Sequence, residues 1–141
     1  MAQKSKKILV VEDDVTMREI VVQKLKSSGY NVVEAEDGAK GIKLATKEKP
    51  DLILLDLMLP EVDGFGVLKE VRANKDENIS KTPVIILSNL WSKEEIIKTK
   101  ELGVQAYIIK AYMTTEEILE KVNDVLKQTQ EASPPSPKSS K

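Results

Sequence analysis

The chain has 141 residues, 40% of them hydrophobic and 32% charged, with 22 basic against 23 acidic side chains and a formal net charge of −1. That length suits one domain with a real core, and the balanced charge offers no electrostatic pull toward nucleic acid or an anionic membrane. With no cysteine and no histidine, disulfides, thiolate chemistry, zinc clusters and imidazole acid–base catalysis are excluded, so chemistry here rests on carboxylates, hydroxyls and lysines.

"MAQKSKK" runs straight into "ILVV", too brief for a signal-peptide core, and no apolar run reaches membrane length. The chain is therefore expected to be cytoplasmic, with residues 1–5 a flexible N-terminus and 6–130 one domain. The first strand is predicted at "KILVV" (7–11), followed by a helix whose stripe is Met17, Ile20, Val21 and Leu25. Gly29 in "SSGY" is its left-handed cap. "NVVEA" (31–35) is the second strand, and Ala39, Ile42 and Ala45 mark a helix that stops before Pro50. The turn "EAEDG" between them carries no evident role. "DLILLD" (51–56) is the third strand, and Gly64 leads into a helix with Phe65, Leu68 and Val71 on its inner face. The stretch "ANKDENISKT" (73–82) reads as a solvated loop before the fourth strand, "PVIILS" (83–88). "SKEE" (92–95) is a capping box for a fourth helix closed by Gly103. "AYIIK" (106–110) is the fifth strand, and "TTEE" (114–117) opens a fifth helix buried through Ile118, Leu119, Val122, Val125 and Leu126. The Pro, Ser and Lys of "EASPPSPKSSK" (131–141) predict a disordered tail.

Strand and helix thus alternate five times. Near-continuous apolar strands are covered on both faces, so the fold class predicted is α/β, a (βα)5 doubly wound parallel five-stranded sheet. A TIM barrel needs many more residues.

In such sheets chemistry collects beyond the carboxyl ends of the strands. Strand 1 delivers Glu12, Asp13 and Asp14 there; strand 3 delivers Asp56, strand 4 Ser88 and then Asn89, and strand 5 Lys110. Each has an ordinary explanation: acids before a helix serve as caps, a serine ends many strands, and a lysine is usually solvated. Asp56 stands out because its neighbours are leucines, where an ionised carboxylate costs on the order of several kcal/mol unless compensated. Jointly the residues describe a site. Clustered carboxylates repel by about 1–4 kcal/mol per pair and call for a cation. Oxygen ligands without His or Cys select a hard ion, Mg²⁺ first and Mn²⁺ second. Asp56 then has the character of a nucleophile toward phosphorus, with the metal and the lysine offsetting phosphoryl charge.

The stretches "ILVVEDD", "LLDLMLPEVDGFGVLKEVR", "PVIILS" and "YIIK" resemble those of receiver domains, the phosphoacceptor modules of two-component response regulators, over about residues 6–127. "VEDDVTMREIV" is similar to the single-domain chemotaxis regulators. The resemblance implies the flavodoxin-like strand order 2-1-3-4-5. It implies that Asp56 accepts a phosphoryl group from a sensor histidine kinase or a phosphotransfer protein. Mg²⁺ would be held by Glu12, Asp13, Asp56 and the backbone carbonyl of Met58. Ser88 would hydrogen-bond the phosphoryl group, Lys110 would pair with it, and Tyr107 would be the aromatic switch that turns inward as Ser88 moves. The chain would not be an enzyme beyond catalysing its own phosphorylation and dephosphorylation.

Departures from the family pattern carry their own expectations. Ala111 stands where proline commonly follows the lysine, so the Lys110–Ala111 bond is either a strained cis bond, costing about 2.5–4 kcal/mol, or trans. Asn89 stands where a small residue is common and would crowd or hydrogen-bond the phosphoryl group. Met58 and Leu90 offer nothing to an attacking water, which predicts slow self-dephosphorylation. Output is expected through the surface of helix 4, strand 5 and helix 5 to a downstream protein effector, with Trp91 as its fluorescent reporter. Neither direct nucleic-acid binding nor membrane binding is expected, and the chain would be a monomer or a phosphorylation-dependent dimer. The alternative for the tail is that it opens a linker in a longer regulator. Two rival functions are a small aspartyl-phosphate phosphohydrolase and a degenerate receiver that binds partners without phosphorylation. The first commonly has a second Asp where this chain has Met58; against the second, all five core positions are filled.

Overall fold

Apolar runs and amphipathic stretches pair as strand–helix units in the computed structural model, which describes residues 6–89 and 92–132. The elements are β1 (Lys7–Val11), α1 (Val15–Ser27), β2 (Asn31–Ala35), α2 (Gly38–Glu48), β3 (Leu52–Leu55) and α3 (Gly64–Arg72). They continue with α4 (Glu77–Ser80), β4 (Val84–Ser88), α5 (Lys93–Glu101), β5 (Ala106–Ile109), a 3-10 turn (Lys110–Tyr112) and α6 (Thr115–Ala132). The predicted N-terminal segment 1–5, Leu90, the reporter Trp91 and residues 133–141 of the predicted tail lie outside the described residues; α6 takes in 131 and 132.

The strands form one parallel sheet in the order β2-β1-β3-β4-β5, as the resemblance implied. Alternate residues of each strand point to opposite faces, which divides the core in two. Ile8, Val10, Leu52, Leu54, Ile85 and Leu87 pack against α1 and α6 on one face. Leu9, Val11, Ile53, Leu55, Val84 and Ile86 pack against α2, α3 and α4 on the other. Each fully buried Leu or Ile contributes roughly 1.5–3 kcal/mol, so the central strands anchor the sheet and hold its carboxyl ends in place.

Helix starts follow from local chemistry. Asp14, Asp37, Asp63 and Ser92 each accept a backbone N–H of the first turn they precede. Thr114 and Glu117 form a reciprocal capping box: each side chain accepts the other's amide. Asp37 lies in the turn "EAEDG", and its role there is this cap. Gly29 sits at positive φ, as predicted for a left-handed cap, and Gly103, which closes α5, also has positive φ.

Three expectations are corrected. In α1, Ile20 is exposed and Val22 takes its place in the core; in α2, Ala39 is exposed and Gly41 is buried. The predicted solvated loop 73–82 contains α4, capped by Asp76 and anchored by the buried Ile79. That insertion makes the predicted fourth and fifth helices α5 and α6 here.

Arg72, the last residue of α3, ties the far end of the sheet together. Its guanidinium donates to the carbonyls of Leu102 (2.7 Å) and Gly103 (3.1 Å) after α5, and of Ser80 (2.9 Å) and Thr82 (2.8 Å) around the end of α4. Helix C-termini leave such carbonyls without partners, and one planar fork serves two of them. Arg72→Met is expected to lower the unfolding free energy by about 2–4 kcal/mol in urea titrations, with Arg72→Lys recovering less than half. A loss below about 1 kcal/mol would mean that water replaces the guanidinium.

Candidate functional site

β1 and β3 are neighbours, with Val11 opposite Leu55, so Glu12 and Asp56 leave the sheet side by side. The Asp56 amide donates to the Val11 carbonyl (3.1 Å) and the Glu12 amide to the Ala35 carbonyl (3.0 Å), which carries the ladder into the site. Both residues are almost fully buried, at 3% exposure for Glu12 and 4% for Asp56, whereas Asp13 is exposed. One carboxylate oxygen from each of the three lies within 4.8 Å of the others.

Compensation for the buried charge arrives from β5. The Lys110 ammonium donates to Asp56 Oδ2 at 2.8 Å and pairs with Glu12 Oε1 at 2.6 Å. Asp56 Oδ1 accepts from the Met58 amide (3.0 Å), and Glu12 Oε2 from the Asp14 amide (3.1 Å). Burial pushes the Glu12 carboxyl above its ordinary value despite the opposing hydrogen bonds from Lys110 and Asp14, with the charge of Asp56 adding to the rise. Burial alone would lower the Lys110 ammonium; its hydrogen bonds to Asp56 and Glu12 outweigh that and leave it raised. Arg18 steadies the β1 end by donating to the Glu12 carbonyl (2.8 Å) and to Glu34 (3.2 Å).

Two glycines press the Asp56 loop into shape. A Cβ on Gly64 would lie 2.3 Å from the Asp56 carbonyl oxygen, and one on Gly38 would lie 2.0 Å from that of Val62. Gly64 was visible in the sequence as a helix entrance; Gly38, on α2, gave no local signal of its contact with the loop after β3.

Ser88 is fully buried at the end of β4, and Tyr107 is half-buried against the α2–α4 face of the core. Burial, followed by the charges of Glu95 and Asp56, pushes the Tyr107 phenol up to about 12. No described peptide bond is cis, so Lys110–Ala111 is trans. The Asn89 side-chain oxygen accepts from the Ala111 amide at 2.9 Å. The structure brings Glu12, Asp13, Asp56 and Lys110 together, joins Met58 to Asp56 through its amide, and places Ser88 at the end of β4 and Tyr107 within β5. The three carboxylates and an all-oxygen donor set fit a hard divalent cation.

The fold and the carboxylate corner define a receiver module. Residues 8–123 match the family described as response regulator receiver domain, and the chain belongs to that family. It is 39% identical over 123 residues to the DNA-binding dual master transcriptional regulator RpaA of Synechocystis, a match covering 87% of this chain and 50% of that protein. The CheY-like receiver domain protein of Methanospirillum hungatei superposes with a TM-score of 0.82 at 26% identity, covering 91% of this chain and 98% of the other. The receiver domain of sensor histidine kinase PA1611 from Pseudomonas aeruginosa superposes with a TM-score of 0.77 at 26% identity, covering 88% and 99%, and its structure has magnesium coordinated in the active-site cleft. The chain spans about half the length of the curated relatives it matches, 47–53% for three of them.

One expectation about partners is overturned. The net charge of −1 and an output assigned to a protein partner lead to an expectation of no direct nucleic-acid binding, yet RpaA is by name DNA-binding. The charge argument covers only the receiver half of such a protein, so the exclusion does not stand. On the membrane question, no described helix is long and apolar enough to cross a bilayer.

Two outcomes follow from the electrostatics. In chelator, Asp13→Asn is expected to raise the unfolding free energy by about 1 kcal/mol, because it removes one repelling charge from the corner; urea titration checks this, and a destabilised variant would contradict it. For Tyr107, the folded phenol holds its proton to about 12 against about 10 unfolded. A raised value favours the folded state below pH ~10, and that contribution is lost as pH rises toward 12. Wild type should therefore lose stability over this window faster than Tyr107→Phe, as read by thermal melts; identical slopes would contradict the assignment.

Proposed function

We propose that Asp56 accepts a phosphoryl group from a phosphohistidine of a sensor histidine kinase and that the chain serves as the switch of a two-component pathway. The observation that carries this is a buried aspartate at the end of β3, grouped with two further carboxylates and bonded to Lys110. In the reaction an Asp56 carboxylate oxygen attacks phosphorus, the P–N bond breaks, and its electron pair leaves on the imidazole. The Met58 amide holds the other carboxylate oxygen. The Lys110 ammonium follows the charge outward onto the phosphoryl oxygens, and the Ser88 hydroxyl hydrogen-bonds one of them. Glu12, Asp13, Asp56 and the Met58 carbonyl would hold Mg²⁺, which offsets phosphoryl charge when bound. Beyond catalysing its own phosphorylation and dephosphorylation the chain has no enzymatic role on this reading.

The readout is the α5–β5–α6 surface, reached through Ser88 and Tyr107, to which a protein partner binds. Phosphorylation adds about −1.5 to −2 charge. Carrying a two-state element from 1:99 to 99:1 takes about 5.5 kcal/mol, which two charge-assisted hydrogen bonds of about 1.5–3 kcal/mol each approach.

Incubation with acetyl phosphate and Mg²⁺, followed by intact mass, tests the reading. Wild type should gain one phosphoryl group and Asp56→Asn none. The group should also persist longer than in a Met58→Asn, Leu90→Glu variant, whose side chains present groups to an attacking water. A phosphohydrolase would consume the donor without accumulating phosphoprotein, and a degenerate receiver would do neither; each result would sink the proposal.

A further inference from the structure

The hydrogen bond from the Ala111 amide to Asn89 Oδ1 (2.9 Å) joins residues 22 positions apart. β4 ends at Ser88 and β5 at Ile109, which face each other as the last pair of their ladder. The bond therefore links the two strands beyond the point where their backbones stop pairing. Each partner directly follows a site residue, Asn89 after Ser88 and Ala111 after Lys110.

Lys110 opens the 3-10 turn Lys110–Tyr112, and Ile109, at the position where a cap would stand, makes no side-chain capping bond. Ala111 is the second residue of that turn. A helix start is normally stabilised when the preceding residue's side-chain oxygen accepts the amide of the second or third residue. Here Asn89 provides that acceptor from just past the end of the neighbouring strand. The donor exists only because residue 111 is not proline, which has no N–H. The two sequence departures, at 89 and at 111, are therefore one device.

We propose that Asn89 is a positioning residue: its side-chain oxygen caps the turn that begins at Lys110 and so holds the ammonium in place between Glu12 and Asp56. The consequence for phosphoryl transfer rests on the reading of Asp56 as acceptor; the hydrogen bond itself does not.

The test compares wild type, Asn89→Ala, Ala111→Pro and the double variant. Three readouts are used: the rate of phosphorylation by acetyl phosphate with Mg²⁺, Mg²⁺ affinity by calorimetry, and amide exchange of residue 111 by NMR where it has an N–H. Asn89→Ala is expected to slow phosphorylation by about two- to tenfold, the range one hydrogen bond supplies. It should speed Ala111 amide exchange and leave Mg²⁺ affinity unchanged or tighter, since the carboxylates stay put. With proline at 111, Asn89→Ala should have no further effect. Should Ala111→Pro fail to fold, Asn89→Leu, of similar size but with no acceptor, must match Asn89→Ala. Faster phosphorylation in Asn89→Ala would show that the side chain obstructs the site, and an unchanged rate would show that it positions nothing; either overturns the proposal. A slower rate accompanied by weaker Mg²⁺ binding would also overturn it, as general loosening of the site. If wild type itself takes up no phosphoryl group, the Asp56 reading fails, and Ala111 exchange still decides whether the cap exists.

Discussion

The ammonium of Lys110 allows two buried carboxylates to share one corner of the molecule. Glu12 and Asp56 are nearly inaccessible to water, and one cation bonds both, at 2.6 and 2.8 Å. Taking such ions out of water costs on the order of several kcal/mol each. The attraction at these distances is about 6 kcal/mol per pair at an effective dielectric of 20. The two effects nearly offset each other, so the corner is held as much by the geometry of the sheet as by charge. Remove the geometry, and the two carboxylates would separate into solvent.

That geometry comes from strand order. β1 and β3 are adjacent and place their acids side by side, while β4 separates them from β5. Lys110 must therefore reach back across the end of β4, where Ser88 is buried. A lysine has the length for this reach, and the turn it opens has no capping bond from the preceding side chain. The Asn89 bond lies at this span, and the glycines at 38 and 64 do the corresponding job for the loop after β3. Site and scaffold are thus joined through backbone contacts that side-chain motifs do not display.

Much of this was legible in the chain. Five apolar runs, the caps at Ser92 and Thr114 and the turns at Gly29 and Gly103 are written in local patterns, and the structure has them where those patterns put them. The acids, Ser88 and Lys110 could be grouped because a parallel sheet presents all its carboxyl ends at one edge. The failures have equally physical causes. "IVV" at 20–22 offers three adjacent apolar side chains, and a helical stripe cannot be phased from three neighbours; burial of Val22 rather than Ile20 is settled by the sheet beneath. Helix α4 spans barely one turn, too short for a repeating stripe to reveal it, and a single buried isoleucine marks it. Arg72 bonds the carbonyls of Leu102 and Gly103, 30 and 31 residues on, and Asn89 accepts an amide 22 residues on, so no window of neighbouring residues contains these partners.

On the proposed reading, the same charge balance that makes the corner tolerable also makes it responsive. Lys110 divides its bonds between Glu12 and Asp56. A phosphoryl group on Asp56 moves negative charge away from the carboxylate, toward the mouth of the site, and increases it. The ammonium gains by following, and Glu12 then loses its partner inside a nearly water-free pocket. Glu12 is almost wholly buried, so it tolerates loss of the lysine only if another cation takes its place. The carboxylate that does no bonding to phosphorus thereby limits how far Lys110 can travel.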